Sequence, residues 1–464
     1  MDQNLVREEI LQDRILSKLS RLAKEKKIPL FLVGGYLRDL LLGIPRKDYD
    51  FTLPKEASPF IATLEEALHL CFFKVGKEER STLTYRINKE DVSIDLTFLQ
   101  GKTIEEDLRR RDFTINATAF SLQDESFHFA EKSLEDIEKK SIRTVSKESI
   151  NQDPLRMLRA IRYLCTLQGF VMEEGLREEI ILKREKILGL PGERIKAELD
   201  QILLSSCPSI GMKSLNESHL LFTLFPEFKG LENLGQNDHH HLDILSHTLL
   251  LVEKIPWALE WVAQHRHEIF LTHEDRLSLY YAALFHDIGK QNTYSKDENE
   301  KVHFYDHEAF SIQAAEKIME RLHFSNQMEN KVLHLIKHHM RILNLSCETR
   351  ETALKRLVNQ IGDETPLLVL HTFADKEASR GILSFQNDEI VENHCLRILE
   401  LFKEKEIVHP PPLITGHDVM TLGYPPGPRV GQILHYVRQK QVEGGIKNRE
   451  EVLKLLRQTF GQEG

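Results

Sequence analysis

Residues 34–53 read GGYLRDLLLGIPRKDYDFTL, and they follow the apolar run PLFLV at 29–33. The run predicts a short strand ended by Gly34 and Gly35, which lack a Cβ and so let backbone approach a triphosphate closely. RDLLLG predicts a short helix stopped by Gly43, and YDFTL a second strand. Arg38 stands where a guanidinium can grip phosphate oxygens. Asp48 and Asp50 are two apart in strand sequence, so their carboxylates project from one face. Two such carboxylates suit Mg²⁺, the hard cation that phosphoryl transfer uses. Asp95, in the later strand-like SIDLTF, is the natural third carboxylate. A lone GG or a lone DxD says little. GGxxRD followed at this distance by DxDF is far more specific.

Residues 5–27, upstream, show apolar residues at three- and four-residue spacing and predict one amphipathic helix. Downstream, LTYRI (83–87) and VSIDLTFL (92–99) alternate like two strands, with NKED (88–91) as the hairpin turn. The first 140 residues are therefore expected to be mixed α and β. From about 150 onward DPLRMLRAIRYLCTLQGF, REEIILKREKIL and GERIKAELDQILL all carry helical periodicity. The polar stretch LENLGQNDHHHLD (231–243) marks a boundary, helices resume to about 385, and HPPPLITG (409–416) opens a small C-terminal segment.

These segments, in this order, resemble the class II tRNA nucleotidyltransferases and bacterial poly(A) polymerases of the DNA polymerase β superfamily. DLRRRDFTINA (107–117) is similar to the family's second motif, which implies sugar- and phosphate-holding roles for Arg111, Asp112 and Asn116. NQDPLRMLRAIRY (151–163) resembles its nucleotide-recognition helix, GERIKAEL (192–199) the motif supporting it, and GYPPGPRVGQIL (423–434), with Arg429, the C-terminal segment. The implied fold is α+β. A polymerase-β-like nucleotidyltransferase head (1–140) precedes a helical neck (141–235), an HD-type helical body (236–385) and an RNA-binding tail (386–464).

Asp153, Arg156, Arg159 and Arg162 lie three apart and are expected to form one drifting helical stripe. Cytosine and adenine each present an amino donor beside a ring-nitrogen acceptor. A carboxylate accepts from the amine while a guanidinium donates to the ring nitrogen, so an Asp–Arg pair admits C and A and rejects U and G. The resemblance assigns that pair to Asp153 and Arg156, with Arg159 and Arg162 nearer the triphosphate. Two departures stand out. Gln152 replaces a Glu common in the family, and IDLTFLQGKTIEEDLRRRD (94–112) joins the third strand to the second motif by a short path. Many CCA-adding members carry a longer loop there, and the shortened form is reminiscent of members that add only CC.

A second constellation follows. His247, the pair His286-Asp287 in ALFHDIGK, and Asp375 in FADKEASRG resemble the pattern of HD-type metal phosphohydrolases. Imidazoles and carboxylates together can hold a divalent metal whose bound water attacks a phosphoester. His307, with His338 or His339, would suit a second ion. Trp257 and Trp261, four apart, are expected to anchor helix packing.

The chain has 464 residues, 41% hydrophobic and 29% charged, with a net charge of −10. Several domains follow from the length. The acidic balance opposes general nucleic-acid binding, yet RRR at 109–111 and KSIRTVSK at 140–147 are local basic runs. The five scattered cysteines contain no CxxC pair and predict free thiols, not a disulfide frame. A charged start without an apolar core leads to a cytoplasmic expectation with no membrane partner. The expected partners are a tRNA 3′ end, CTP and ATP, with no DNA, and the expected cofactor is Mg²⁺ with a further divalent metal in the HD-type region. Full CCA, CC-only and A-only addition stay open. A poly(A) polymerase, an HD-type phosphohydrolase acting on RNA ends or nucleotides, and a non-catalytic RNA-binding protein are the alternatives.

Overall fold

The computed structural model describes residues 3–45, 48–75, 83–89, 92–232, 234, 242–265, 269–379 and 388–460. The tip of the NKED turn, the three consecutive histidines at 239–241 and the end of FADKEASRG lie outside them. The chain packs as two compact units, Met1–Leu190 with Ser214–Thr223, and Pro191–Lys213 with Leu224–Gly464.

The first unit is built on a seven-stranded sheet. Its strands are β1 (Phe31–Val33), β2 (Asp48–Leu53), β3 (Phe73–Val75), β4 (Thr84–Lys89), β5 (Val92–Phe98), β6 (Thr118–Ser121) and β7 (Ser126–Phe129), in spatial order β3-β4-β5-β2-β1-β6-β7. All neighbours are antiparallel except β2 and β5. In that parallel pair Asp50 lies level with Asp95 and Asp48 with Ser93. The core strand β1 is buried along its length, as its unbroken apolar sequence requires.

The single N-terminal helix expected over 5–27 is two, α1 (Gln3–Gln12) and α2 (Arg14–Lys26). Asp13 makes the break. Its Oδ1 accepts from the backbone N–H of Ile15 (2.8 Å) and Leu16 (2.9 Å), capping α2, while Oδ2 accepts from the Tyr49 hydroxyl at 2.9 Å. A good N-cap residue inside an otherwise helical pattern restarts the helix. The helix α3 (Gly35–Leu42) stops at Gly43 in the left-handed conformation, φ 69°, as read from sequence. Helices α4 (Phe60–Leu68) and α5 (Ile104–Leu108) connect the later strands.

Beyond the sheet come α6 (Ser133–Glu138), α7 (Ser149–Gln152), α8 (Arg156–Thr166) and α9 (Glu174–Lys183). The expected stripe is corrected here, because Asp153 is not on the helix. It is extended (φ −148°, ψ 101°) and ends α7. Pro154 follows it, and the proline ring disfavours helical backbone in the residue before. Arg156, Arg159 and Arg162 do share the wetter side of α8, while Met157, Leu158, Ile161 and Cys165 are buried. A two-residue parallel ladder, β8 (Ser141–Ile142) with β9 (Val171–Met172), also interrupts the otherwise helical course.

Among the described residues, the second unit is helical apart from a hairpin, β10 (Tyr294–Lys296) with β11 (Val302–Phe304). Every residue of its helix Thr365–Ala378 is buried. Trp261 packs on Phe373 of that helix, with ring centroids 4.3 Å apart, the anchoring expected of it. Trp257 is half-buried. Three C-terminal helices, Gly416–Thr421, Pro428–Val442 and Arg449–Phe460, close over their own apolar cluster of Val419, Ile433, Val437 and Val452. None of the five cysteines is in a disulfide, and no described helix is long and apolar enough to cross a membrane.

Asp13→Ala removes both the cap and the tether to Tyr49. We expect amide hydrogen exchange in α2 to speed up by an amount equal to about 1–2 kcal/mol of lost protection, with Asp13→Ser, which caps but is too short to reach Tyr49, recovering part of it.

Candidate active site and metal centre

Period-two alternation on β2 and the register with β5 bring three carboxylates together. Burial pushes the Asp50 carboxyl up to about 6, the Arg111 charge opposes that, and the neighbouring Asp95 and Asp48 reinforce it. Asp95 is not open. Arg86 on β4, opposite it in the ladder, holds both its oxygens, Nε to Oδ1 at 2.7 Å and Nη2 to Oδ2 at 2.6 Å. Asp48, the outermost of the three, is exposed.

Gly34 packs beneath this group with φ 73° and ψ −132°. A Cβ there would stand 3.0 Å from Arg111 Nη1 and 3.7 Å from Asp50 Oδ2, so the glycine lets the guanidinium and carboxylate close over the start of α3. Gly35 opens the helix beside Arg38, whose Nη2 would lie 3.5 Å from a Cβ. Asp107, on the preceding helix turn, accepts from Arg111 Nη2 at 3.1 Å and Nε at 3.2 Å. Its other oxygen accepts from the Gln100 backbone N–H at 2.9 Å. The i,i+4 spacing of Asp107 and Arg111 is a local signal of this pair. Arg86 carried no local signal, since its pairing with Asp95 exists only through register.

A second network ties the sheet to α8. Arg38 is only 7% exposed, and a buried guanidinium needs partners. It donates to Asn116 Oδ1 at 2.6 Å and to Asp39 Oδ1 at 2.8 Å. Asn116 Nδ2 donates to Asp112 Oδ1 and to the Tyr163 hydroxyl, each at 3.0 Å. Asp112 receives Arg159 through Nε (2.8 Å) and Nη2 (2.6 Å). Burial alone would push the Asp112 carboxyl up, but the Arg159 charge and the bonds from Asn116, Arg159 and the Phe113 N–H hold it below the usual range. Arg156 donates to the Arg110 carbonyl and Ser149 Oγ, both at 2.8 Å. Asp153 Oδ1 accepts from the Leu155 N–H at 3.2 Å. Arg162 lies 4.9 Å from the Tyr163 ring centroid.

In the second unit, Asp243 caps the helix Ile244–Gln264 and so places His247 in its first turns. His286 and Asp287 follow the helix His273–Phe285, and Asp375 comes from the buried helix. His286 Nδ1 bonds to the Ala283 carbonyl (3.0 Å), His307 Nδ1 to Phe304 (2.9 Å) and His339 Nδ1 to Ile336 (2.7 Å). This pattern puts the proton on Nδ1 and turns each Nε2 lone pair inward. Those nitrogens converge: His286 Nε2 is 3.1 Å and His307 Nε2 3.3 Å from Asp287, and His247 Nε2 is 3.2 Å from Asp375. His307 Nε2 faces His339 Nε2 at 3.2 Å. Two groups, His247–His286–Asp375 and His286–Asp287–His339, have ligand atoms within 4.8 Å of one another. Among the described residues, no such group contains Asp48, Asp50 and Asp95.

Of the two expected choices, His339 is the one at the centre. His338 is turned away and packs on His334, with centroids 4.7 Å apart. His371, one turn before Asp375, is fully buried with neither ring nitrogen bonded, and burial pushes it down to about 3. Lys290 Nζ sits 2.7 Å from Asp287. A cavity of about 200 Å³ opens here, lined in part by Lys290, His303, His307 and Ser379.

Comparison with known proteins agrees with this architecture. Residues 30–143 match the poly A polymerase head domain, 169–231 the probable RNA and SrmB-binding site of polymerase A, and 302–456 tRNA nucleotidyltransferase domain 2. The CC-adding tRNA nucleotidyltransferase of Thermus thermophilus is 32% identical over 438 residues, 92% of each chain. The A-adding tRNA nucleotidyltransferase of Deinococcus radiodurans is 29% identical over 430 residues, 90% of this chain and 93% of that one. A CCA-adding enzyme solved with CTP shares the fold, with a TM-score of 0.68 at 22% identity over 100% of this chain and 99% of the other.

A polymerase-β-like head of this kind, joined to a helical body, defines an RNA nucleotidyltransferase. The chain belongs to the class II tRNA nucleotidyltransferase and bacterial poly(A) polymerase family, and its reaction is the addition of C and/or A residues to tRNA 3′ ends with release of pyrophosphate.

Gly34→Ala forces a side chain into backbone that only glycine adopts readily. It should lower the stability of the first unit by about 1–3 kcal/mol, measured by urea unfolding, and should reduce nucleotide incorporation further by displacing Arg111.

Proposed function

We propose that this enzyme adds C residues to tRNA, building CC and stopping before the terminal A. The observation that carries this reading is the path from β5 to α5. Residues 99–103 alone make that connection, and they are fastened down. Gln100 N–H is held by Asp107, Lys102 N–H by Glu106 at 2.8 Å, and Thr103 caps α5. Asp107 in turn holds Arg111. A tethered link of this length leaves little slack to reset the site for a different base.

In this scheme Asp48 and Asp50 hold Mg²⁺ in the head, with Asp95 as the third catalytic carboxylate, oriented by Arg86. The fit rests on converging negative charge, since Asp50 is driven up by burial and by its two acidic neighbours. Bound magnesium would supply charge neutralisation at the reacting phosphates. Gly34, Gly35, Arg38 and Arg111 cradle the triphosphate. Asp112 fixes Arg159 beside it, with Arg162 on the next turn. Asp153 and Arg156 read the base edge. Arg156 is anchored by Arg110 and Ser149 and keeps donors to spare among the five of a guanidinium. The tRNA 3′-hydroxyl oxygen attacks the α-phosphorus of CTP, and the bond to the departing pyrophosphate breaks. The division into head (1–140), neck (141–235), HD-type body (236–385) and tail (386–464) belongs to the same reading, with Arg429, at the start of the helix Pro428–Val442, contacting RNA phosphate.

His247, His286, Asp287 and Asp375, with His307 and His339, form a second metal centre. His307 Nε2 and His339 Nε2, held 3.2 Å apart beside Asp287, suit a shared cation, and an imidazole-rich donor set favours a transition metal. The basic Lys290 beside the cavity favours a second reading for this unit, a phosphohydrolase acting on RNA ends or nucleotides.

On tRNA ending before CCA, CTP alone should extend by two residues and added ATP should change nothing. Extension by A on tRNA ending in CC would replace this reading, with full CCA addition if CTP is also incorporated and with A-only addition if it is not. Asp48→Ala should cut incorporation on the order of 10³-fold. Elemental analysis of the purified protein should find a transition metal that survives Asp48→Ala and is lost in Asp375→Ala.

A further inference from the structure

Tyr163 has no part in the scheme so far, yet it sits where the two networks of the head meet. It lies one turn beyond Arg159 on α8 and is 8% exposed. Its hydroxyl accepts from Asn116 Nδ2 at 3.0 Å and from Arg159 Nη2 at 3.4 Å. Its ring gathers three guanidiniums, with Arg162 at 4.9 Å, Arg38 at 5.2 Å and Arg159 at 5.9 Å from the centroid. Phe113 packs edge-on against it at 5.6 Å.

Three like charges this close repel one another. The electron-rich face of a tyrosine attracts cations and so offsets part of that repulsion, which a leucine could not do. The Asn116 amide has its orientation fixed from both ends, by Arg38 on Oδ1 and by Asp112 and Tyr163 on Nδ2. A continuous chain of contacts therefore runs from Arg38, the phosphate grip, through Asn116 and Tyr163 to Arg159 and the helix that carries Arg156.

We propose that Tyr163 is a positioning residue for nucleotide choice. It sets the rotation of α8 against the phosphate grip, so that a triphosphate held by Arg38 presents its base squarely to Asp153 and Arg156. This inference rests on the assignment of that pair to base reading. A triphosphate bound with α8 out of register would still react, but the base edge would be read poorly and U and G admitted more often.

The test is single-nucleotide incorporation on tRNA ending before CCA, with CTP, ATP, UTP and GTP each alone, for Tyr163→Phe, Tyr163→Leu and Arg156→Ala. Loss of one hydrogen-bonding hydroxyl should raise KM for CTP by roughly five- to tenfold, and raise the UTP/CTP ratio of kcat/KM by a similar factor. Tyr163→Leu should relax discrimination further. A merely structural role would lower incorporation of all four nucleotides by one common factor, and that result overturns the proposal. If Arg156→Ala relaxes discrimination while both Tyr163 variants keep it intact, the positioning role fails and base reading stands. If all three keep it, the base-reading assignment falls and the proposal with it.

Discussion

The head depends on one pairing. Because β2 and β5 run parallel with Asp50 level with Asp95, acidic side chains from two strands meet at one place on the sheet. Such a concentration of like charge is unfavourable by itself, and the surrounding structure is an answer to it. Arg86 comes from the neighbouring strand, Arg111 closes over Gly34, and Arg38 sits in the first turn of the helix that the two glycines open. Asp107 and Asn116 then hold two of those arginines in place. Shifting β5 by one residue would turn Asp95 to the other face and strand Arg86 without its partner.

Much of this was legible because local chemistry and tertiary structure agree. The glycines, the Gly43 stop, β1, β2, β4 and β5, and the helical character beyond 150 all follow from patterns within a few residues. The failures have local causes too. Asp13 falls inside the apolar spacing of residues 5–27, but its carboxylate can cap a new helix. Asp153 fitted a three-residue spacing that Pro154 forbids. β6 and β7 are hard to read because TAFS and SFHF are only four residues long, and TAFS does not alternate. What could not be read was anything created by register or by helix ends. Arg86 on Asp95 is cross-strand, Tyr163 joins residues far apart in sequence, and the choice of His339 over His338 turns on the orientation of one helix terminus.

The two acidic centres differ in kind. In the head the donors are carboxylates, which suit a hard cation with labile waters. In the second unit imidazoles predominate, their protons parked on backbone carbonyls and their lone pairs directed inward, which suits a softer ion held more firmly. One chain thus keeps two ionic environments of different hardness, each in its own compact unit.

The helix Thr365–Ala378 has no outward face, so Asp375 and His371 are hydrophobic-core residues as well as polar ones. Drift in its sequence is therefore constrained by volume before chemistry is considered, since a changed side chain must still fill a closed interior. A descendant of this protein that had lost any use for the ion would still find those positions hard to vacate. Persistence of the histidines and aspartates across lineages would then record packing history, and turnover would have to be judged by other means.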